Sequence, residues 1–183
     1  LLDFDAYIRR TMEEGFAYFG LRPYEPWMYD VFHRENNKLW RQIEEGTLTF
    51  PELEKIRWNN VFAALDMDFD GVVFEKYFRT ALHESAIPVD GARELLEALR
   101  GRYLLAAASN GPYEQQLHRL ALAGMKDFFD WFFISERIGA SKPSKLFFDE
   151  AFRQVNEGRE TPILPEDTAI IGDSLTSDMA GGR

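Results

Sequence analysis

The sequence predicts an α/β protein in which a parallel β-sheet is joined to a separate all-helical segment. Over residues 5–85 the apolar residues recur only at helical spacing, as Ile8, Met12 and Phe16 do. From residue 89 onwards, short apolar runs alternate with helical patterns, and each run ends in a polar motif. Alternating strands and helices imply right-handed crossovers and therefore parallel strands.

The helical segment contains several amphipathic stretches. One apolar face carries Phe32, Leu39, Trp40 and Ile43, a second carries Leu53, Ile56, Val61 and Ala64, and a third carries Tyr77, Phe78 and Leu82. Thr49 is followed by Pro51 and Glu52, a spacing that is typical of a capping box at a helix start.

The second segment contains candidate strands separated by helices. Continuous apolar runs of this length suit strands that are buried on both faces. In chain order we predict a helix over 91–100, a strand over 103–108, a helix around Leu117 and Leu120, a strand over 131–134, a helix over 145–156 and a strand over 168–172.

The composition restricts the partners. The chain has 183 residues, with 31 acidic and 21 basic side chains and a formal charge of −10. That balance argues against binding to a nucleic-acid polymer or an anionic membrane. There is no cysteine, and therefore no disulfide or thiolate metal site. Without a leader or an apolar run long enough to span a bilayer, a cytoplasmic protein is the expectation.

Polar motifs stand where the predicted strands end. Ser109, Asn110 and Gly111 offer a hydroxyl, an amide and backbone N–H groups that suit a phosphate oxygen. Lys142, before Pro143, offers a positive charge. Asp173 and Asp178 are oxygen ligands of the kind that Mg²⁺ prefers. Because ligands bind at the carboxyl ends of parallel strands, we expect these motifs to converge.

Each motif also has a purely structural interpretation. Ser109 suits the cap of an ordinary strand-to-helix turn, and Lys142 suits an exposed surface position. Asp173 and Asp178 could be one solvated acid and one helix cap. The chemical interpretation therefore depends on the motifs occurring together and in this order.

Together the motifs resemble the second, third and fourth motifs of the haloacid dehalogenase superfamily, and the finer pattern is similar to its bacterial pyrimidine nucleotidases. The resemblance implies a Rossmann-like parallel-sheet core with an inserted helical cap. Residues 1–5 would then be a remnant of the core, 6–88 the cap and 89–183 the core.

The resemblance also implies a chemistry, namely phosphomonoester hydrolysis with Mg²⁺ through an aspartyl-phosphate. Ser109 and the amides of Asn110 and Gly111 would bind the phosphate, and Lys142 would bridge phosphate and nucleophile. Asp173 would hold the metal, and Asp178 would hold a metal-bound water or orient Lys142. The expected partner is a small phosphorylated metabolite, with a nucleoside 5′-monophosphate favoured; the oligomeric state is not predicted.

The family's first motif, which supplies the nucleophile, has no match here. Asp3 and Asp5 have its spacing, but Ala6 and Tyr7 replace its Gly-Thr, and we interpret Asp3 as following that motif. We therefore expect a chain that is cut at both ends, inactive as given and poorly stable.

Two polar residues lie on apolar faces of the predicted cap. Asn36 shares a face with Phe32 and Leu39, and Arg57 shares one with Leu53 and Val61. Both are candidate substrate contacts, although either side chain could instead reach the solvent from a helix edge. Two other functions stay open: a metal-independent 2-haloacid dehalogenase, and a degenerate binding module without catalysis.

Overall fold

The computed structural model describes residues 1–183 and divides them into two compact units, Leu1–Ala92 and Arg93–Arg183. The first unit contains only helices. The second contains helices and a small parallel sheet. This confirms the predicted α/β class with its separate helical segment. None of the helices combines the length and the apolar character needed to cross a bilayer.

The first unit consists of the helices α1 (Phe4–Tyr18), α2 (Pro26–Glu44), α3 (Phe50–Ala64) and α4 (Gly71–His83). Local capping sets their first residues. Asp3 Oδ1 accepts a hydrogen bond from Ala6 N at 2.8 Å, and Thr49 N donates to Glu52 Oε2 at 2.8 Å. The predicted helix start at Thr49 is thus confirmed.

Aromatic packing holds these helices together. Trp58 on α3 lies with its ring centroid 4.3 Å from that of Phe74 on α4, and both residues are fully buried. Phe16 of α1 and Phe62 of α3 contact the same cluster. Buried aromatic side chains remove large apolar areas from water, so this cluster is the main stabilising feature of the first unit.

The second unit contains α5 (Ala92–Leu99), which starts at the end of the first unit, then β1 (Ala106–Ser109), α6 (Tyr113–Leu122), β2 (Trp131–Ile134), α7 (Ser135–Ile138) and α8 (Lys145–Asn156). The two strands are parallel, with Ala107 opposite Phe132 and Ser109 opposite Ile134. Phe133 of β2 packs with Phe147 and Ala151 of α8. Since α6 connects parallel neighbours, the carboxyl ends of β1 and β2 lie at the same sheet edge.

Two strand predictions require correction. β1 begins at Ala106 and not at Tyr103, because Leu105 bonds instead to Asp130: Leu105 N donates to the Asp130 carboxylate at 2.8 Å. The predicted strand over 168–172 is wrong, since this segment has no ladder partner and Ile171 is 79% exposed. A strand needs hydrogen bonds from a neighbour, and the apolar pattern of a segment cannot supply one.

Candidate functional site

Three segments of the second unit meet beyond the carboxyl end of β1. They are Ser109–Gly111 directly after the strand, the loop of Lys142 before α8, and Gly172–Asp178 at the end of the chain. β1 ends here because Gly111 has a φ of 151° and Pro112 has no backbone N–H to donate to a neighbouring strand. The sequence predicted that these segments converge, and the side chains below carry the contacts.

Asn110 joins the first two segments by a pair of hydrogen bonds. Its Oδ1 accepts from Lys142 N at 2.8 Å, and its Nδ2 donates to Lys142 O at 2.9 Å. The side-chain amide therefore imitates a strand neighbour and satisfies both backbone groups of Lys142. Because a partly buried backbone group without a partner is costly, this contact fixes where the Lys142 side chain begins.

The Lys142 ammonium group is buried and bound on two sides. Nζ donates to Ala108 O of β1 at 2.8 Å and to Asp178 Oδ1 at 2.5 Å. An ammonium group has three N–H donors, so one donor remains for a further acceptor. A buried cation is tolerated only when it is paired and hydrogen-bonded, and Asp178 supplies that pairing.

Asp178 is held by its own turn. The chain from Leu175 to Met179 forms a wide helical turn, and Ser174 N donates to Asp178 Oδ2 at 3.1 Å. Gly172 is required beside it, because a Cβ at that position would overlap the Asp178 carboxylate. The glycine of the Gly-Asp-Ser motif therefore makes room for the acid six residues later.

The remaining predicted site residues lie at the edge of this network. The Asp173 side chain is exposed, and the Ser109 side chain is half-buried; neither takes part in the Lys142–Asp178 pair. Gly111 N donates to Ser135 Oγ at 2.9 Å, so this amide is already occupied. The metal role of Asp173 and the phosphate roles of Ser109 and Gly111 stay predictions.

Sequence reasoning missed two residues at the start of α7. Besides Ser135, Glu136 Oε2 accepts from Tyr113 N at 2.7 Å, so both bind the loop that follows β1. Polar residues directly after β2 were the available signal, because the end of this strand lies beside the end of β1. Their contacts therefore fix the loop of Asn110.

The first unit contains its own buried polar cluster. Arg57 of α3 forms a two-pronged ion pair with Glu75 of α4: Nε donates to Oε2 at 3.0 Å and Nη2 donates to Oε1. Arg57 Nη1 lies 3.4 Å from Asn36 Oδ1, and the guanidinium stands over the Phe78 ring at 4.5 Å. Glu75 is a further residue that the sequence analysis missed, since it occurs within an unremarkable charged stretch.

Burial dominates the protonation of Glu75. Loss of solvent raises the pKa of this carboxyl above its ordinary value, whereas the hydrogen bonds from Arg57 act in the opposite direction. Protonation would leave a guanidinium without its counter-ion in the interior. The geometry of the two side chains is that of a buried ion pair.

A family match covers nearly the whole chain. The sequence profile of a hydrolase family, described as haloacid dehalogenase-like hydrolase, matches residues 6–183. The crystal structure of the HAD-hydrolase YfnB of Bacillus subtilis, bound to magnesium, is 32% identical and has a TM-score of 0.87. That alignment covers 99% of this chain and 78% of the YfnB chain.

Curated relatives agree with this match. By sequence, YfnB is 34% identical over 81% of this chain and 61% of its own length. Pyrimidine 5′-nucleotidase PynA of Streptococcus pneumoniae is 32% identical over 100% of this chain and 75% of its own length. Pyrimidine 5′-nucleotidase YjjG of Escherichia coli is 32% identical over 84% of this chain and 65% of its own length. The chain thus spans between three fifths and three quarters of these relatives.

Proposed function

Because the chain belongs to the haloacid dehalogenase-like hydrolases, we propose that the protein is a Mg²⁺-dependent phosphomonoester hydrolase that acts through an aspartyl-phosphate. The observation that carries the proposal is the buried Lys142 ammonium group at the end of β1, held by Asp178 and by the backbone contacts of Asn110. Its free donor is available to an anionic oxygen.

Different residues of the second unit would bind different oxygens of a phosphoryl group or hold the binding groups in place. Lys142 would offset negative charge on the phosphoryl oxygens, and its fixed position means that little reorganisation is needed during the reaction. The Ser109 hydroxyl and the Asn110 N–H, beside the strand end, would donate to other phosphoryl oxygens. Asp178 would hold the Lys142 ammonium group in place.

The carboxylates fit a magnesium ion to different degrees. Asp173 offers an exposed carboxylate outside the Lys142 network, which suits a hard, hydrated cation. Both oxygens of Asp178 already accept hydrogen bonds, so its share in metal binding stays a prediction. When bound, Mg²⁺ would neutralise charge on the phosphate. Asp3 is not assigned as the nucleophile, because its carboxylate caps α1.

The favoured substrate is a nucleoside 5′-monophosphate. Two relatives are named pyrimidine 5′-nucleotidases, which supports this choice. Asn36 and Arg57 would contact the leaving group from the helical cap, as the sequence suggests. The cytoplasmic location and the preference for small phosphorylated metabolites belong to the same proposal.

Phosphate release by the intact protein tests this function. We expect hydrolysis of uridine 5′-monophosphate that requires Mg²⁺, and a loss of turnover of at least about 100-fold in Asp173→Asn, because a lost metal ligand removes charge stabilisation. Asp149→Asn is the matched control, since that exposed carboxylate pairs only with Lys145. Near-normal turnover and Mg²⁺ affinity in Asp173→Asn would refute the metal role.

The same assay separates the other functions. Chloride release from a 2-haloacid without metal would support a dehalogenase and exclude the phosphatase. Binding of inorganic phosphate without any turnover of the intact protein would support a binding module.

A further inference from the structure

Three consecutive residues of α7 contact the loop that follows β1. Ser135 Oγ accepts a hydrogen bond from Gly111 N at 2.9 Å, and Glu136 Oε2 accepts one from Tyr113 N at 2.7 Å. The Arg137 guanidinium stands over the Tyr113 ring, 3.4 Å from its centroid. Because α7 begins directly after β2, these contacts attach the loop after one strand to the end of the neighbouring strand.

Glu136 caps α6 from outside that helix. The residue at the N-cap position is Pro112, whose side chain offers no acceptor to the first amides of the helix. The Glu136 carboxylate supplies that acceptor and places a negative charge at the positive end of the helix. A phosphate group, which commonly binds at such helix ends, would be repelled by this carboxylate.

Gly111 is covered as well as hydrogen-bonded. A Cβ at this position would lie 2.9 Å from Gln116 Nε2, so the Gln116 side chain of α6 covers the backbone of the glycine. The Gly111 N–H is bound to Ser135 of α7. The glycine is therefore held between two helices, with a φ of 151° that other residues rarely adopt.

These contacts decide which backbone amides of the loop stay available. Gly111 and Tyr113 already donate within the chain, and Pro112 has no N–H. The Asn110 amide is the remaining backbone donor, because the contacts of this residue to Lys142 use only its side chain. A phosphoryl group at this strand end would therefore find a single backbone donor in the loop.

We propose that Ser135 and Glu136 are positioning residues for the phosphoryl group. By occupying the amides of Gly111 and Tyr113, they prepare the loop before the substrate binds and direct a phosphoryl oxygen to the Asn110 amide. The inference rests on the proposed phosphatase function, to which it adds two residues that act without touching the substrate. A preorganised donor needs little rearrangement during the reaction, so loss of either contact is expected to lower turnover more than it weakens binding.

Amide NMR on the 183-residue chain with Mg²⁺ and inorganic phosphate identifies the donors that phosphate uses. A hydrogen bond to an anionic oxygen is short and strong, and it moves the proton signal of the donor downfield. In the unchanged chain we expect this shift at Asn110 and not at Gly111 or Tyr113. Ser135→Ala releases the Gly111 amide, which is then expected to respond. Glu136→Ala releases the Tyr113 amide in the same way. A purely structural role would lower stability without adding a responding amide.

Turnover of uridine 5′-monophosphate by the intact protein supplies a second measurement. In Ser135→Ala and Glu136→Ala we expect kcat to fall about 10-fold, the effect of one lost hydrogen bond, while KM changes less than about 3-fold. Ser135→Thr keeps the hydroxyl and is expected to restore kcat to within about 3-fold of the unchanged protein. Circular dichroism establishes that each variant is folded.

Glu114→Ala is the matched control. This exposed glutamate lies in the first turn of α6, but its partner is Arg137 at 3.8 Å and it binds no amide of the loop. The variant deletes a negative charge at the same helix end as Glu136→Ala without releasing an amide. Both kcat and the set of amides that respond to phosphate should therefore stay unchanged.

The outcomes separate the positioning role from the proposed function. A downfield shift at Gly111 or Tyr113 in the unchanged chain overturns the positioning role, even if the intact protein releases phosphate. So does a kcat within about 2-fold of the unchanged protein in both Ser135→Ala and Glu136→Ala. No phosphate release by the intact protein contradicts the phosphatase instead. The positioning role is then decided by the Asn110 amide, and the absence of its response to inorganic phosphate overturns that role.

Discussion

Removal of the Asp178 carboxylate is expected to destabilise the second unit by about 3 kcal/mol. The Lys142 and Asp178 side chains are each only 8% exposed, and breaking a buried ion pair costs roughly 3–5 kcal/mol because the remaining charge is stranded. We take the lower end of that range since Nζ keeps its hydrogen bond to Ala108 O at 2.8 Å. The change is Asp178→Ala.

The chain supplies a matched control for this loss. Lys145 and Asp149 form an ion pair at 2.6 Å within α8, but their side chains are 86% and 56% exposed. Water and salt screen such a pair, so Asp149→Ala is expected to cost less than about 0.5 kcal/mol. Both variants delete the carboxylate of a lysine–aspartate pair, so the difference between their stability losses measures the effect of burial.

Hydrogen exchange is the appropriate assay, because the chain has two compact units and a single urea transition could mix their unfolding. The amides of β1 (Ala106–Ser109) report the opening of the second unit in particular. Trimethylamine N-oxide can be added if the variant is too unstable to measure, since excluded osmolytes favour the compact state.

A loss below about 1 kcal/mol in Asp178→Ala, or a loss equal to that of Asp149→Ala, would refute the buried pair. A double variant provides a second criterion. Lys142→Met with Asp178→Leu removes both charges, and it is expected to recover most of the stability lost in Asp178→Ala, because no stranded charge is left. Failure to recover would assign the loss to packing.

Three other predictions concern Gly172, Asn110 and Glu75. Gly172→Ala is expected to cost about 1–3 kcal/mol in β1 hydrogen exchange, because the new Cβ displaces Asp178, and unchanged protection would contradict the overlap. Asn110→Ala removes the acceptor for Lys142 N, so exchange of the Lys142 amide should accelerate about 10-fold or more; equal rates would refute that contact. Burial raises the pKa of Glu75, so its contribution to stability is full below about pH 4.5 and is lost as pH rises through the folded pKa. The unfolding free energy of the unchanged chain minus that of Glu75→Gln should therefore increase as the pH falls from about 7 to about 5. Urea denaturation at both pH values measures this difference, and a smaller difference at the lower pH would contradict the prediction.

Much of the architecture could be predicted because its signals are local. The helical spacing of apolar residues and the capping by Glu52 are set by neighbours in the sequence, and the structure confirms both. The prediction of a strand over 168–172 was wrong for the opposite reason. Its apolar residues satisfy a strand pattern, but a ladder depends on a partner that no local pattern can reveal.

In the candidate site, too, some residues could be identified from local motifs, and others are brought together only by the fold. Lys142 and Asp178 could be selected from their motifs, and the structure brings them together at 2.5 Å. The partners of the loops, Ser135 and Glu136, could not be selected, since their role arises only from the adjacency of two strand ends. Glu75 was invisible for a similar reason, because α3 and α4 bring it to Arg57 from 18 residues away.

The side-chain amide of Asn110 binds the backbone N–H and C=O of Lys142 and does not bind the Lys142 ammonium group. Loop shape and loop chemistry are consequently specified by separate atoms. A different residue could replace the lysine while the polypeptide path around it stays intact, provided that Asp178 is replaced with it. Such a division allows the reactivity of this corner to be re-engineered, or to drift in evolution, without rebuilding the scaffold that presents it.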